Sequence, residues 1–488
     1  MTSKQEESKE GLRHGAVGMW DLVFFVVAAA APLSVMSGVS PLAIQFGEVH
    51  APGGYLTGGI VMAIFAVGFT TMSRFVPNAG AFYAYIGQGL GRTVGVGAAF
   101  VALVSYISIA ISFIPALGVF AHDTFDSLFG LDVPWGVWSV IGGVIVAALG
   151  YLNVTLSAKV LGVLLGLEVL ILLIFALPVL VQGGEEGLSF DSFNLADMFG
   201  PGVGALFVLS FGAFLGFEST AIYGEEARDR SRTVSRATYV AVGFLAVFYT
   251  IVVWAVIMAY GQDEAVAAAN ADPTNMFFTA TEDWVGAPAS DMMRILIVTS
   301  TLAAALAFHN ASSRYVHALA RERVLPRVGA TTDPRTGSPS AASLFISALA
   351  LVVIVVFAAF GADPYLNTFL WLNGIGIPGI IALQVLCSAA IVAFFARDSH
   401  GVHVVKRLVA PLVATIALAV AVTLIAKNLD LLTGADTAVN IALMSITPAA
   451  FVIGAVVARS IKRSSPEAYD RLTTTSVEGD DKDMEPTS

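Results

Sequence analysis

The sequence predicts an all-α membrane protein of about 12 transmembrane helices, and three observations carry that expectation. First, 57% of the 488 residues are hydrophobic and only 12% are charged. A soluble domain carries about a quarter charged residues, so this chain lacks the charge to clothe a water-facing surface. Second, uncharged apolar runs recur along the whole chain, each near the ~20 residues that span a bilayer as a helix. An outer-membrane barrel would instead alternate in segments of about ten. Third, placing both termini in the cytoplasm puts 23 of the 25 Lys and Arg residues in inside loops, leaving only Arg294 and Lys427 outside. One helix more or fewer would scramble that division. A soluble enzyme, a disordered chain and a secreted disulfide scaffold are excluded. The single Cys387 has no disulfide partner in the chain and reads as a packing residue. A net charge of −11 makes nucleic acid a poor partner.

In order, residues 1–16 form a polar cytoplasmic tail without a signal-peptide core. The transmembrane region covers 17–460, with spans at 17–44, 53–75, 93–121, 134–152, 158–181 and 200–224, then 237–260, 291–320, 339–360, 366–396, 408–428 and 437–459. Residues 461–488 are polar, short of aromatics and expected to be a disordered cytoplasmic tail. The outer loops are mostly acidic, with Glu48, Asp123, Glu185 and Asp263 among them, and read as a solvated rim. The expected location is the plasma (inner) membrane of a microbe.

Two spans carry breaks. The first reads VVAAAAPLSVMSGVSPLAIQFG, and Pro32 and Pro41 bracket a Gly-Ser centre that should kink or unwind. The sixth carries Gly204, Gly212 and Gly216 around its middle. Bare backbone at membrane depth is tolerated only when buried in protein or lining a polar cavity. Breaks five spans apart match an inverted repeat, here about 17–181 and 200–396, with 408–428 and 437–459 as extra helices. Amides freed at the start of a half-helix suit a carboxylate, and carbonyls freed at the end of one suit an ammonium group. Together they would hold an α-amino acid. The plainer alternative is that these glycines and prolines serve packing.

Four stretches resemble the amino acid–polyamine–organocation (APC) superfamily permeases. They are the broken first span with APGG at 51–54, PNAGAFYAYIGQGLGRTVG at 77–95, FGAFLGFESTAIYGEEARDRSRTVSRAT at 211–238, and NASSRYVHALARERVLPRV at 310–328. The resemblance implies a leucine-transporter-type fold of 5+5 inverted repeats plus two helices. It implies alternating access, with spans 1, 2, 6 and 7 rocking against the rest. It implies substrate contacts from Ser37, Gly38 and Val39 and from Phe211, Gly212, Phe214 and Leu215. One departure is that Arg230 and Ser235 stand where the family usually has prolines, so inner-gate behaviour should differ.

Ionisable residues at membrane depth are costly and are functional candidates by default. Glu218 follows the span 6 break; in resembling proteins this acid lies near the pathway and couples gating to protons. Glu168, in span 5, has no partner visible in the sequence. Lys159, at the start of span 5, resembles a family lysine that replaces sodium with a fixed charge, although that position could equally be Thr155. Thr299, Ser300 and Thr301 of span 8 would be the ligands of a sodium site. Glu225, Glu226, Arg228, Arg314 and Arg321 read as gate or loop ion pairs, and His309 and Asn310 as interhelical hydrogen bonders. His400 and His403 lack the second ligand pair that a metal site needs. Tyr106 and Trp371 could close over a substrate or pack.

The combined expectation is a secondary active transporter for an amino acid or related amine, importing it with a proton, sodium being the less favoured ion. It needs no cofactor, and its partners are the bilayer and a small molecule. A polyamine transporter or exchanger is the alternative within transport. A nutrient sensor and a membrane enzyme are the alternatives beyond it, the latter lacking any HExxH or paired-carboxylate motif. The predicted orientation is tested by single cysteines in a Cys387→Ser background. One at Glu264 should react with an impermeant maleimide on intact cells, and one at Glu467 should react only after lysis.

Overall fold

The computed structural model describes residues 18–76, 82–152, 158–218, 230–335 and 337–472, apart from the side chains of Asp21, Phe25, 158–161, Leu195 and 230–232. No strand occurs among the described residues. Nine helical stretches among them are long and apolar enough to cross a membrane, and three shorter apolar helices accompany them at Leu22–Gly38, Trp135–Tyr151 and Val203–Gly212. The chain is a multi-pass membrane protein.

The first span is built from α1 (Met19–Ala29), α2 (Pro32–Gly38) and α3 (Ser40–Gly47). The second is α4 (Ala51–Met72), and the short α5 (Phe82–Leu90) leads into the third, α6 (Arg92–Phe129). Next come α7 (Trp135–Tyr151), α8 (Ala158–Gln182) and α9 (Val203–Gly212), the helix among the described residues of span 6. Span 7 is α10 (Arg230–Tyr260), and α11 (Gln262–Ala271) and α12 (Met276–Trp284) cross to span 8, α13 (Ala287–Arg321). The rest are α14 (Ser340–Ala359), α15 (Leu370–Arg397, after a wide turn at Pro364–Phe369), α16 (Ala410–Lys427) and α17 (Thr437–Ser464).

The spine is α6. Its 38 residues extend about 57 Å at 1.5 Å per residue, well beyond a ~30 Å hydrocarbon core. It packs against α13, α15 and α17. Small residues make these approaches close: a Cβ on Gly376 of α15 would fall 2.9 Å from the Ser105 carbonyl. A second layer joins α4 to α10, where a Cβ on Gly59 would lie 2.3 Å from that of Ala246. By contrast α14 and α17 expose apolar side chains such as Val352 and Val456 along most of their length, as helices facing lipid do.

The first break falls one turn earlier than expected. The run after Pro32 is helical through Gly38, and the interruption lies at Ala30–Ala31, with Ala31 left-handed at φ 43°. Proline crowds the residue before it out of the helical region, while its own missing N–H costs nothing at a helix start. Pro32 therefore begins a helix instead of unwinding one. A smaller bend remains at Val39, just before Pro41.

The segment expected to be disordered from 461 onward is helical as far as Arg471. After α17 the chain turns into α18 (Pro466–Arg471), which folds back on the start of α6. Arg92 forms an ion pair with Asp470 at 2.9 Å and donates from Nε to the Leu472 carbonyl, and Thr93 hydrogen-bonds the Tyr469 hydroxyl. Leu472 is buried among Tyr83, Val96, Leu319 and Val324. An ion pair this exposed contributes at most about 1 kcal/mol, whereas burying a leucine contributes about 1.5–3 kcal/mol. Leu472→Asp should therefore release the tail to limited trypsin digestion, while Asp470→Ala leaves its protection within about twofold.

Candidate functional site

Satisfying the broken backbone builds the centre of the molecule. At the first break, Glu168 of α8 accepts the Leu33 N–H through Oε2 at 3.2 Å. The same oxygen accepts the Ser300 hydroxyl at 2.9 Å, and Ser300 lies 3.4 Å from the Ser34 N–H. Ser34 in turn pairs with Thr301 at 2.9 Å. On the other side of the break, Tyr249 of α10 donates to the Ala30 carbonyl at 3.3 Å. Residues from α8, α10 and α13 thus supply the partners that the interrupted helix lacks.

The second break is bound differently. Past Gly212 the chain tightens, with Phe214 N–H bonding the Phe211 carbonyl and Leu215 N–H that of Gly212. Gly216 then adopts φ 103°, a conformation open essentially only to glycine. Glu218 folds back so that Oε2 accepts the Gly216 N–H at 3.0 Å, and its Oε1 accepts the hydroxyl of Tyr106 from α6. Glu218 is 2% exposed, and both its oxygens are engaged.

Between the breaks lies a cavity of about 40 Å³. Span 1 lines it with Ala30, Val35 and Val39, and span 6 with Leu209, Gly212 and Leu215. Phe113 of α6, Phe308 of α13 and Phe369 form an aromatic wall, joined by Asn373 and Ile377 of α15. These rings belong to a continuous ladder: Phe120, Tyr365, Phe369, Phe113, Phe308, Tyr106 and Tyr315 follow one another at centroid separations of 5.3–6.2 Å. Aromatic pairs at such spacing contribute about 0.5–1.5 kcal/mol each beyond burial. The ladder also connects the cavity to Tyr106, the partner of Glu218.

Of the residues expected at a substrate site, Val39, Gly212 and Leu215 line the cavity. Four others pack elsewhere: Ser37 donates to the Met293 sulfur at 3.6 Å, Gly38 lies against Phe120, Phe211 against Phe207, and Phe214 against Tyr249. The Lys159 side chain, Thr155, Glu225, Glu226 and Arg228 lie outside the described residues. Trp371 donates to the Thr433 carbonyl and packs on Phe357. His309 hydrogen-bonds Ser343 at 2.9 Å, and His400 stacks on Phe75 at 4.9 Å. Ser235, one of the departures from the family pattern, accepts from Arg74 at 3.2 Å and so ties α10 to the end of span 2. A proline there could not.

Sequence reasoning left Glu168 without a partner because its partners are a backbone amide 135 residues away and a serine 132 residues away. Asn373 and Phe308 belong to no motif, and only the fold reveals them as walls.

A family model described as amino acid permease matches residues 21–468. An uncharacterized transporter of Mycobacterium tuberculosis is 34% identical over 141 residues, 29% of this chain and 31% of its own length. The chain thus matches about a third of that relative. An L-lysine transport protein of Corynebacterium glutamicum is 25% identical over 66% of each chain, and an amino-acid permease of Candida albicans is 24% identical over 75% of this chain and 60% of its own.

Removing Glu168 leaves buried donors unpaired, at about 1–3 kcal/mol. Glu168→Ala should therefore lower the melting temperature in detergent, and Glu168→Gln, which keeps an acceptor oxygen, should lower it less. Gly216→Ala imposes backbone strain of about 1–3 kcal/mol at the second break and should reduce substrate binding more than Gly243→Ala does, since a Cβ on Gly243 of α10 would meet open space.

Proposed function

The chain belongs to the amino acid permease family, and from that premise we propose that it is a secondary active transporter for an amino acid, working by alternating access and importing its substrate with a proton. The single observation that carries the proposal is the cavity between two interrupted helices. Its walls come from spans 1 and 6 on one side and spans 3, 8 and 10 on the other. A site held between two groups of helices opens to either side as the groups rock, without being rebuilt. In this reading the helices number twelve, spans 1–5 and 6–10 form inverted repeats, and the chain lies in the plasma membrane with both termini inside. The α-carboxylate and α-ammonium of the substrate reach the backbone at the breaks by sharing or displacing the side chains that hold it here.

Proton coupling rests on Glu218. Its carboxylate bridges the second break and Tyr106 of α6, so it touches both the moving and the static group of helices in this scheme. Charged, it only accepts; protonated, it gains an O–H donor, and a proton placed on the oxygen facing Tyr106 turns that hydroxyl from donor to acceptor or releases it. That is how a proton could bias the packing of span 6 against span 3. The hydroxyls that a sodium site would use are already engaged: Ser300 with Glu168, and Thr301 with Ser34 and the Ile297 carbonyl.

Purified protein in liposomes decides the matter. Uptake of a labelled amino acid should follow an inward proton gradient and ignore a sodium gradient. Glu218→Gln should abolish proton-driven accumulation, lowering it at least tenfold, while exchange of internal for external substrate survives. Tyr106→Phe should weaken the proton dependence less than Glu218→Gln does. Uptake driven by sodium alone would refute the coupling assignment. Ligand binding without uptake under any gradient would indicate a sensor.

A further inference from the structure

We propose that the substrate is an uncharged amino acid with a small side chain, and that Asn373 is the residue by which the cavity rejects charged side chains. This rests on the transport reading above and narrows it. None of the 14 residues lining the cavity carries a charge. The two fully buried carboxylates among the described residues, Glu168 and Glu218, are not among its walls, and each is committed to other donors. A lysine ammonium or the second amine of a polyamine would therefore exchange water for aliphatic carbon and phenyl rings. Attraction to a phenyl face replaces only part of lost hydration. Phe113 is moreover already packed against both Phe308 and Phe369.

Asn373 is the one polar side chain in the lining. Its Nδ2 donates to the Phe369 carbonyl at 2.9 Å and to Ser112 Oγ at 3.1 Å. The carbonyl can only accept, and the Ser112 hydroxyl is itself donated to the Ile109 carbonyl, so the amide cannot be turned end for end. Both amide hydrogens are used. Oδ1 is left as a neutral acceptor, with no hydrogen-bond partner among the described residues. It can receive an N–H or O–H of a bound amino acid but offers no counter-charge. Size points the same way. The enclosed space is small, about 40 Å³, and Ile377 closes it against Gly212, where a Cβ would meet Ile377 Cδ1 at 2.5 Å.

The test is uptake of labelled alanine into proteoliposomes against a hundredfold excess of unlabelled serine, leucine, lysine or putrescine. Serine should compete fully; lysine and putrescine should change uptake less than twofold. Asn373→Asp, which puts a carboxylate where Oδ1 stands, should strengthen lysine competition at least tenfold. Ile377→Ala should strengthen leucine competition about tenfold and still exclude lysine, which keeps the size argument testable if the aspartate variant does not fold. Wild-type protein that accepts lysine as readily as alanine, or a folded Asn373→Asp that transports alanine and still ignores lysine, would overturn the proposal. Failure of the wild type to take up any amino acid would overturn the transport reading beneath it, a result distinct from uptake with a different selectivity.

Discussion

Backbone polar groups cannot be left bare in hydrocarbon, and the centre of this protein follows from that constraint. Two helices are interrupted, and four side chains bring hydrogen-bonding groups to the backbone at the interruptions. Glu168 and Ser300 take the amides after the first break, Tyr249 serves the carbonyl before it, and Glu218 takes the Gly216 amide at the second. Those partners come from α8, α10 and α13 and from span 6 itself. The arrangement of helices around the cavity is thus the one in which both breaks are satisfied at once.

The same constraint explains why the two midspan acids differ. Glu168 replaces backbone partners that an unbroken helix would provide internally, so its first duty is structural. Glu218 instead holds the backbone of its own span through the Gly216 amide and also bonds Tyr106 of α6, whereas Glu168 reaches from α8 to the backbone of span 1 and the Ser300 hydroxyl of α13. The aromatic ladder extends that junction: Tyr106 packs on Phe308, and Phe308 is a wall of the cavity. Occupancy of the cavity and the state of Glu218 therefore bear on the same stack of rings.

Much of this was legible in the sequence. Apolar runs located the helices because crossing a bilayer demands length and hydrophobicity, both local properties. The breaks were visible as proline and glycine, but the first was placed a turn late, since the helix-starting role of Pro32 depends on which side of the proline gives way. Three of seven expected substrate contacts line the cavity; Ser37, Gly38, Phe211 and Phe214 face other helices, and rotation about a helix axis is not encoded in a motif. The partners of Glu168, and the Ser112 partner of Asn373, lie more than a hundred residues away, which no local pattern records.

The clasp between α18 and α6 bears on how the molecule is assembled. Arg92 and Asp470 are 378 residues apart, so the cap on the start of span 3 consists of chain made long after that span has entered the bilayer. Until then Tyr83, Val96 and Leu319 lack the cover that Leu472 provides. Nascent chains stalled before residue 466 would carry that apolar patch uncovered. The short helix after α17 thus closes late in synthesis, over a patch that stays bare, and so prone to association, until then.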